Sequence, residues 1–207
     1  MTATLNPKER RTAEGRAQDG SEAGPHRWTR GEYHRMIEAG VLDGARVELI
    51  DGEIWDMAPQ KRPHFRTIRA VAEALEEVFG PDADVQQQGP VAFLDASEPE
   101  PDVAVVAGSW ADYDDHPTAA DVLLLVEVAE ISLRRDRTQK AADYARAGVE
   151  DYWIVNLVQR QVEVRRRPSS DGTYADTRTY LPGESVEPRN APGRPVVVAD
   201  LLPPIKP

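Results

Sequence analysis

The chain has 207 residues, enough for one domain with a substantial core, and a formal net charge of −11. It contains no cysteine, which excludes disulfides, thiolate metal ligands and cysteine nucleophiles and is compatible with a reducing cytoplasm. The acidic balance disfavours a simple nucleic-acid coating protein, and no segment is long and apolar enough to cross a bilayer.

The first 25 residues are polar, rich in Gly, Ala and charge, and lack hydrophobic periodicity. They predict a disordered N-terminal leader over 1–25, followed by a single domain over 26–207. Because the leader has no apolar run, we expect neither a signal peptide nor an anchor, and a soluble cytoplasmic protein.

Local signals define the first elements after the leader. Thr29 and Glu32 have capping-box spacing, which predicts a helix from about residue 30 to 39 that stops at Gly40. The Asp51-Gly52 pair predicts a two-residue hairpin turn within residues 46–57. This register sets Glu48 opposite Trp55 and Leu49 opposite Ile54, with Glu48 on the mixed face of the hairpin.

The middle of the chain alternates between helical and strand patterns. Apolar residues at helical spacing predict a core helix over 64–79, ended by Gly80-Pro81. A strand interrupted at Gly89-Pro90 is predicted over 85–94, and another over 101–106 begins beside Asp102, with a polar loop over 107–121.

An unbroken aliphatic run, Val122 to Val126, predicts a strand buried on both faces that ends at the carboxylate Glu127. A helix from about Ser132 to Gly148 follows. Residues 151–157 and 161–165 predict a hairpin, and the remainder predicts short strands and loops. This order indicates an α/β (α+β) fold with a mixed sheet flanked by helices and additional hairpins.

Asp102, Glu127 and Lys140 carry the chemistry that these elements bring together. Two carboxylates on neighbouring strands repel each other, so they either share a proton or hold a cation. Oxygen ligands without a His or Cys cluster favour Mg²⁺ or Mn²⁺. In a phosphodiester hydrolase such a cation polarises the phosphoryl group and acidifies a water, which a nearby Lys orients.

A series of motifs resembles a known family. The strand-end acids Asp102 and Glu127 are similar to those of the PD-(D/E)XK nuclease superfamily. More narrowly, the chain resembles the Uma-two (Uma2) family of restriction-endonuclease-like proteins from about Trp28 to Leu202. The resemblance rests on VELIDGE at 47–53, MAP at 57–59, His64, EPDVAV at 100–105, VEV at 126–128, Asp136 with Lys140, YARAGV at 144–149 and YWIV at 152–155.

The resemblance implies a restriction-endonuclease-like mixed sheet and a metal site formed by Asp102, Glu127 and the main-chain carbonyl of Val128. The Lys expected two residues after Glu127 is replaced by Ala129, and the family pattern indicates a relocated Lys140. Glu48 is the candidate for a further acid.

Each of these residues also has a purely structural interpretation, which for Asp102, directly after Pro101, is the capping or termination of a strand. Lys140 has the i, i+4 spacing of a surface pair with Asp136. Glu48 is also open to interpretation as a solvated sheet residue. Glu127 has a candidate ion-pair partner in Arg134 or Arg135. His64 suits a helix start, although the family pattern makes it a candidate substrate contact.

The leading hypothesis is a Mg²⁺- or Mn²⁺-dependent endonuclease that hydrolyses DNA phosphodiester bonds, with Arg134 and Arg137 as candidate phosphate contacts. The alternatives are a catalytically inactive nuclease-fold binding protein and a hydrolase of small phosphoesters, to which the charge of −11 gives weight. A homodimer would gather Arg side chains from two copies around one duplex.

Overall fold

The computed structural model describes residues 24–204 as a six-stranded mixed sheet with helices on both faces. The sequence expectation of a mixed α+β fold is confirmed. The predicted disordered leader lies outside the described residues as far as position 23, as do residues 205–207. A single domain from residue 26 onward stays a prediction.

The helices and strands follow one another in the order α1 (Arg30–Glu38), β1 (Val47–Ile50), β2 (Glu53–Asp56), α2 (Arg62–Phe79), β3 (Ala83–Gln87), β4 (Val103–Ala107), β5 (Val122–Ala129), α3 (Leu133–Arg135), a π-helical turn (Asp136–Lys140), α4 (Ala141–Ala147), β6 (Asp151–Asn156), β7 (Gln161–Pro168), β8 (Tyr174–Tyr180), β9 (Ser185–Val186) and β10 (Val196–Val197). Three 3₁₀ turns lie at Gly80–Asp82, Trp110–Asp112 and Val198–Leu201. Among residues 24–204, no helix has the length and apolar character needed to cross a membrane.

The two local signals near the N-terminus form the predicted structures. The Thr29 hydroxyl accepts a hydrogen bond from the Glu32 amide, and the Glu32 carboxylate accepts one from the Thr29 amide, so the capping box begins α1. β1 pairs with β2 in the predicted register, with Glu48 opposite Trp55. Gly52 has a φ of +73° in the turn, a conformation that favours glycine.

The main sheet has the strand order β3-β4-β5-β6-β7-β8, and only the β5–β6 pair is parallel. Parallel neighbours need a crossover connection, which here is the helical segment 133–147. Because that segment crosses one face of the sheet directly after β5, its side chains can return to the end of β5.

The sheet separates two cores. On one face α2 buries Ile68, Val71 and Leu75 against the side chains of β4 to β7. On the other face Tyr144 of α4 packs with Tyr152 of β6, at 4.9 Å between ring centroids. The second core surrounds the polar cluster described below.

Two sequence expectations are wrong in detail. The strand predicted over 85–94 ends at Gln87, because Gln88 adopts a φ of +54° and Gly89-Pro90 leads the chain away from the sheet. The remainder after Pro168 contains one full strand, β8, as well as the short strands expected. β8 forms because it continues the antiparallel ladder of β7.

Candidate active site

Glu127 lies within β5 and its side chain is 4% exposed. The strand continues to Ala129, because its parallel ladder with β6 extends to the Ala129–Asn156 pair. The expectation that the strand ends at Glu127 is therefore wrong. Alternation along β5 directs Glu127 to the same face as Leu125 and Ala129, which is the face covered by α4.

Lys140 is 3% exposed and lies between two acids. Its Nζ is 2.8 Å from Glu127 Oε1 and 3.0 Å from Glu48 Oε2. Tyr144 donates a second hydrogen bond to Glu127 Oε1 at 2.6 Å. The interpretation of Lys140 as a surface partner of Asp136 is thus wrong, since the crossover segment carries its ammonium group into the interior.

Glu48 is fully buried, so its interpretation as a solvated sheet residue is also wrong. Arg135 donates a hydrogen bond to Glu48 Oε1, and the amide of Glu100 donates one to Oε2 at 3.2 Å. Arg135 also lies over the ring of Trp55, 5.7 Å from its centroid. The β1–β2 hairpin therefore covers the cluster from one side.

Asp102 immediately precedes β4 and is buried. Its Oδ2 accepts a hydrogen bond from the Val128 amide at 2.8 Å. His64 Nε2 lies 3.2 Å from Oδ1, and Gln60 donates a longer bond of 3.4 Å to the same oxygen. The loop before α2 and the first turn of α2 thus form the opposite side of the cluster.

The cluster holds more negative than positive charge. Glu48, Asp102, Glu127 and Asp136 are all buried, whereas Lys140 and Arg135 are the permanent cations that line the same cavity. Buried carboxylates in such excess either take up protons or bind a cation.

The direction of the pKa changes agrees with this charge balance. Burial and the neighbouring carboxylates raise the pKa of Glu127 to about 8, although Lys140 opposes the shift. Burial likewise raises the pKa of Asp136 to about 6, while Ser132 donates a hydrogen bond to its Oδ2 at 2.6 Å. Burial disfavours the charged form of Lys140, but its ion pairs outweigh this effect and its pKa lies above the ordinary value.

The donors around the cavity fit a small hard cation. The cavity has a volume of about 50 Å³, which suits an ion with a few waters. Glu127 Oε2 receives no hydrogen bond from the described residues, and Asp102 Oδ1 has lone pairs beyond its two long contacts. Oxygen donors of this kind suit Mg²⁺ or Mn²⁺.

The family comparison covers most of the chain. Residues 30–196 match the family model Uma2, described as "Putative restriction endonuclease". The chain belongs to the Uma2 family. No curated protein matches the sequence.

A solved structure shows the same fold as this Uma2 family member. It is the crystal structure of a putative nuclease belonging to DUF820 from Anabaena variabilis ATCC 29413, with a TM-score of 0.66 and 17% sequence identity. The match covers 84% of this chain and 97% of the other chain. At this identity the likeness shows a shared fold, which confirms the expected nuclease-like architecture.

The structure brings some predicted site residues of this Uma2 family member together and separates others. Glu48, His64, Asp102, Glu127 and Lys140 line one cavity. Arg134 is exposed, and Arg137 is held outside the cavity by hydrogen bonds of 2.8 and 2.6 Å to Glu163. The roles of Arg134 and Arg137 in phosphate binding stay predictions.

The sequence prediction leaves Arg135, Asp136 and Tyr144 out of the candidate site of this Uma2 family member. It names Arg135 only as a candidate partner of Glu127, whereas in the structure Arg135 pairs with Glu48 and Glu127 pairs with Lys140. Asp136, Lys140 and Tyr144 are spaced four apart, a helical signal that one face of the segment points to a common target. The position of Arg135 had no such signal, because its contact with Glu48 spans 87 residues.

Proposed function

We propose that this protein is a divalent-metal-dependent endodeoxyribonuclease. The observation that carries the proposal is the convergence of Glu48, Asp102, Glu127 and Lys140 from four separate segments on one buried, acid-rich cavity. The chain also belongs to the Uma2 family, whose description as "Putative restriction endonuclease" supports the same reaction class. Acids with raised pKa values beside a specific charge partner in one cavity are a recognised feature of catalytic sites.

Asp102, Glu127 and the carbonyl of Val128 are the groups that would hold Mg²⁺ or Mn²⁺. The antiparallel ladder between β4 and β5 ends at the Val103–Val126 pair, so Val128 lies beyond it, and its amide already bonds to Asp102. Bound there, the ion would supply polarisation of a phosphoryl oxygen and a more acidic water.

The protein's own groups have distinct tasks in this proposal. Lys140 and Tyr144 both donate to Glu127 Oε1, which fixes the carboxylate and leaves Oε2 free toward the cavity. The ammonium of Lys140 also offsets negative charge that develops on the phosphoryl group and orients the attacking water. Glu48 holds Lys140 in place from the side opposite Glu127.

The acidic net charge does not prevent contact with DNA if positive charge is concentrated near the cavity. Lys61, Arg62 and Arg66 are exposed at the start of α2, and that region also supplies His64 and Gln60 to the cavity. Basic side chains beside the first turn of a helix are a favourable position for phosphate groups. We therefore propose that DNA reaches the site across the N-terminal end of α2.

The placement of Lys140 favours an enzyme over an inactive binding protein. An ammonium group directed to solvent would have favoured the inactive alternative, whereas here it is buried against both acids. The charge of −11 still supports a hydrolase of small phosphoesters as a second candidate, because DNA binding relies on neutralising phosphates. Comparing cleavage of plasmid DNA with hydrolysis of a small phosphodiester distinguishes the two.

The test is cleavage of plasmid DNA by the purified full chain with and without Mg²⁺ or Mn²⁺. We expect metal-dependent cutting that falls by at least about 100-fold in Asp102→Asn, Glu127→Gln and Lys140→Met. Asp143→Asn is the matched control, because Asp143 is a buried acid that does not line the cavity. Cutting that persists in Asp102→Asn and Glu127→Gln would contradict the proposed site.

Two further expectations belong to the same proposal. We propose a cytoplasmic location, since the sequence has no cysteine and so cannot form the disulfides that are typical of proteins in oxidising compartments. We also propose a homodimer that presents two cavities to one duplex, which sedimentation of the protein with and without DNA would test.

A further inference from the structure

A second group of metal-ligating side chains lies outside the acid-rich cavity. It consists of His34 from α1, Glu98 from the segment before β4 and His116 from the loop before β5, and we call it the His–Glu cluster. One ligand atom from each residue lies within 4.8 Å of the other two. None of these residues lines the acid-rich cavity.

The donors differ from those of the proposed nuclease site. Two imidazoles and one carboxylate are a set that binds Zn²⁺ and similar first-row transition ions, and three protein ligands leave a position open. The cluster lies in a surface depression of about 350 Å³, so an ion can enter from solvent. Mg²⁺ is a poor match because it prefers oxygen ligands.

One pair of ligand atoms in the cluster lies near the separation that a bound ion requires. His34 Nε2 is 2.8 Å from both oxygens of Glu98. Ligands on a tetrahedral Zn²⁺ are separated by roughly 3.4 Å, given bond lengths near 2.1 Å. An increase of about 0.6 Å between His34 and Glu98 would therefore admit the metal in place of their hydrogen bond.

The alternative is a simple buried ion pair. Glu98 is 5% exposed, and Arg30 Nε donates to its Oε2 at 2.9 Å, so His34 and Arg30 already compensate its charge. That interpretation explains Glu98 but gives no role to His116. Within residues 24–204 the His116 imidazole makes no hydrogen bond, and its ring stands edge-on to His34 at 6.3 Å.

Arg30 occupies Oε2 only, so Oε1 of Glu98 remains as a metal donor. The positive charge of Arg30 lowers the affinity of the cluster for any cation. It therefore favours transition ions, which imidazole binds strongly, over ions that imidazole binds weakly. We propose that His34, Glu98 and His116 form a second metal site that takes Zn²⁺ or a similar transition ion and links α1 to the loop before β5.

The proposed link has a defined structural consequence. The amide of Glu98 donates to the carbonyl of Leu49 at 2.8 Å, and two residues later the amide of Glu100 donates to Glu48. An ion on Glu98 would therefore fix the residues directly before Asp102, which are hydrogen-bonded to β1. The site would act as a structural support and take no part in the proposed hydrolysis.

The experiment measures Zn²⁺ binding by titration calorimetry on the full chain, without a histidine tag and with excess Mg²⁺ present. We expect wild type to bind a single equivalent, with an affinity that falls by at least about 100-fold in His34→Ala and His116→Ala. His26→Ala is the matched control, because His26 is exposed and lies outside the cluster. Equal affinity of wild type and His116→Ala, or no binding by wild type, would overturn the proposal.

Two measurements separate this site from the nuclease site. Zn²⁺ binding should be unchanged in Glu127→Gln, and loss of binding in that variant would place the ion in the acid-rich cavity and overturn the proposal. Replacing Zn²⁺ with Co²⁺ should give visible absorption bands that His116→Ala loses while its circular dichroism stays that of wild type. Bands retained in His116→Ala would equally contradict the assigned ligand set.

Discussion

Replacing Lys140 with methionine removes the one ammonium group that joins Glu127 to Glu48. Methionine has a similar length and fills the space, so the change acts mainly on charge. Glu48 would keep Arg135 and the amide of Glu100, whereas Glu127 would keep, among residues 24–204, only the hydroxyl of Tyr144. The variant therefore leaves Glu127 as the less compensated of the two acids.

The expected cost follows from the burial of both partners. Removing one member of a buried ion pair destabilises a protein by about 3–5 kcal/mol when the other charge stays buried without compensation. Burial already raises the pKa of Glu127 to about 8, so Glu127 takes up a proton in this variant at neutral pH, and we expect a cost near the lower end of that range. Glu127→Gln should cost less, about 1–2 kcal/mol, since Lys140 retains Glu48 at 3.0 Å. The double variant Lys140→Met with Glu127→Gln has no buried acid at position 127. We therefore expect its loss of unfolding free energy to be about 2 kcal/mol smaller than the sum of the losses of the two single variants.

The assay is urea unfolding in EDTA, followed by tryptophan fluorescence, to which the buried Trp153 contributes. Lys61→Met is the matched control, because Lys61 is exposed and its pair with Glu130 at 3.4 Å should contribute little. Additivity of the two single changes to within about 0.5 kcal/mol would refute the coupling between Lys140 and Glu127. So would a cost of Lys140→Met no larger than that of the control.

Three further outcomes are expected. Burial raises the pKa of Asp143 from 3.8 to about 6, so wild type loses stability as the pH rises through 6. Urea unfolding should therefore show the unfolding free energy of Asp143→Asn rising relative to wild type by up to about 3 kcal/mol between acid and neutral pH. A difference between variant and wild type that does not change with pH would refute this. Arg62→Ala with Arg66→Ala should reduce the slope of log affinity for DNA against log salt by about two, and an unchanged slope would exclude them from the interface. Gly52→Ala should lower the unfolding free energy by about 1–2 kcal/mol, because φ is +73°, while Gly183→Ala, with open space around it, should not.

The features that sequence predicted well depend on neighbouring residues. The register of the β1–β2 hairpin follows from a two-residue turn, and the start of α1 follows from side chains three positions apart. Both signals lie within the segment that they organise. Strand alternation from Asp102 onward predicts that Asp102 and Ala104 share a face, and Ala104 lies in the core on the side of Glu127.

The features that sequence missed depend on contacts between distant segments. The hairpin pattern placed Glu48 on a mixed face, but its complete burial results from Arg135 and the amide of Glu100. The extent of β5 was underestimated because a polar residue usually marks the end of an apolar run. Glu127 stays inside the strand since β6 pairs alongside it and Lys140 compensates its charge.

The π-helical turn over Asp136–Lys140 gives the crossover segment an unusual helical phase. An α-helix advances 100° per residue, so one residue more or fewer rotates everything before it relative to everything after it. A π-helical turn accommodates one extra residue within a single turn, so removing the exposed Gln139 would return the segment to α geometry and keep Asp136 and Arg135 near their present angle to Tyr144. Related chains that lack one residue in this segment would therefore present the same charges to β5, although their sequences would align only with a gap.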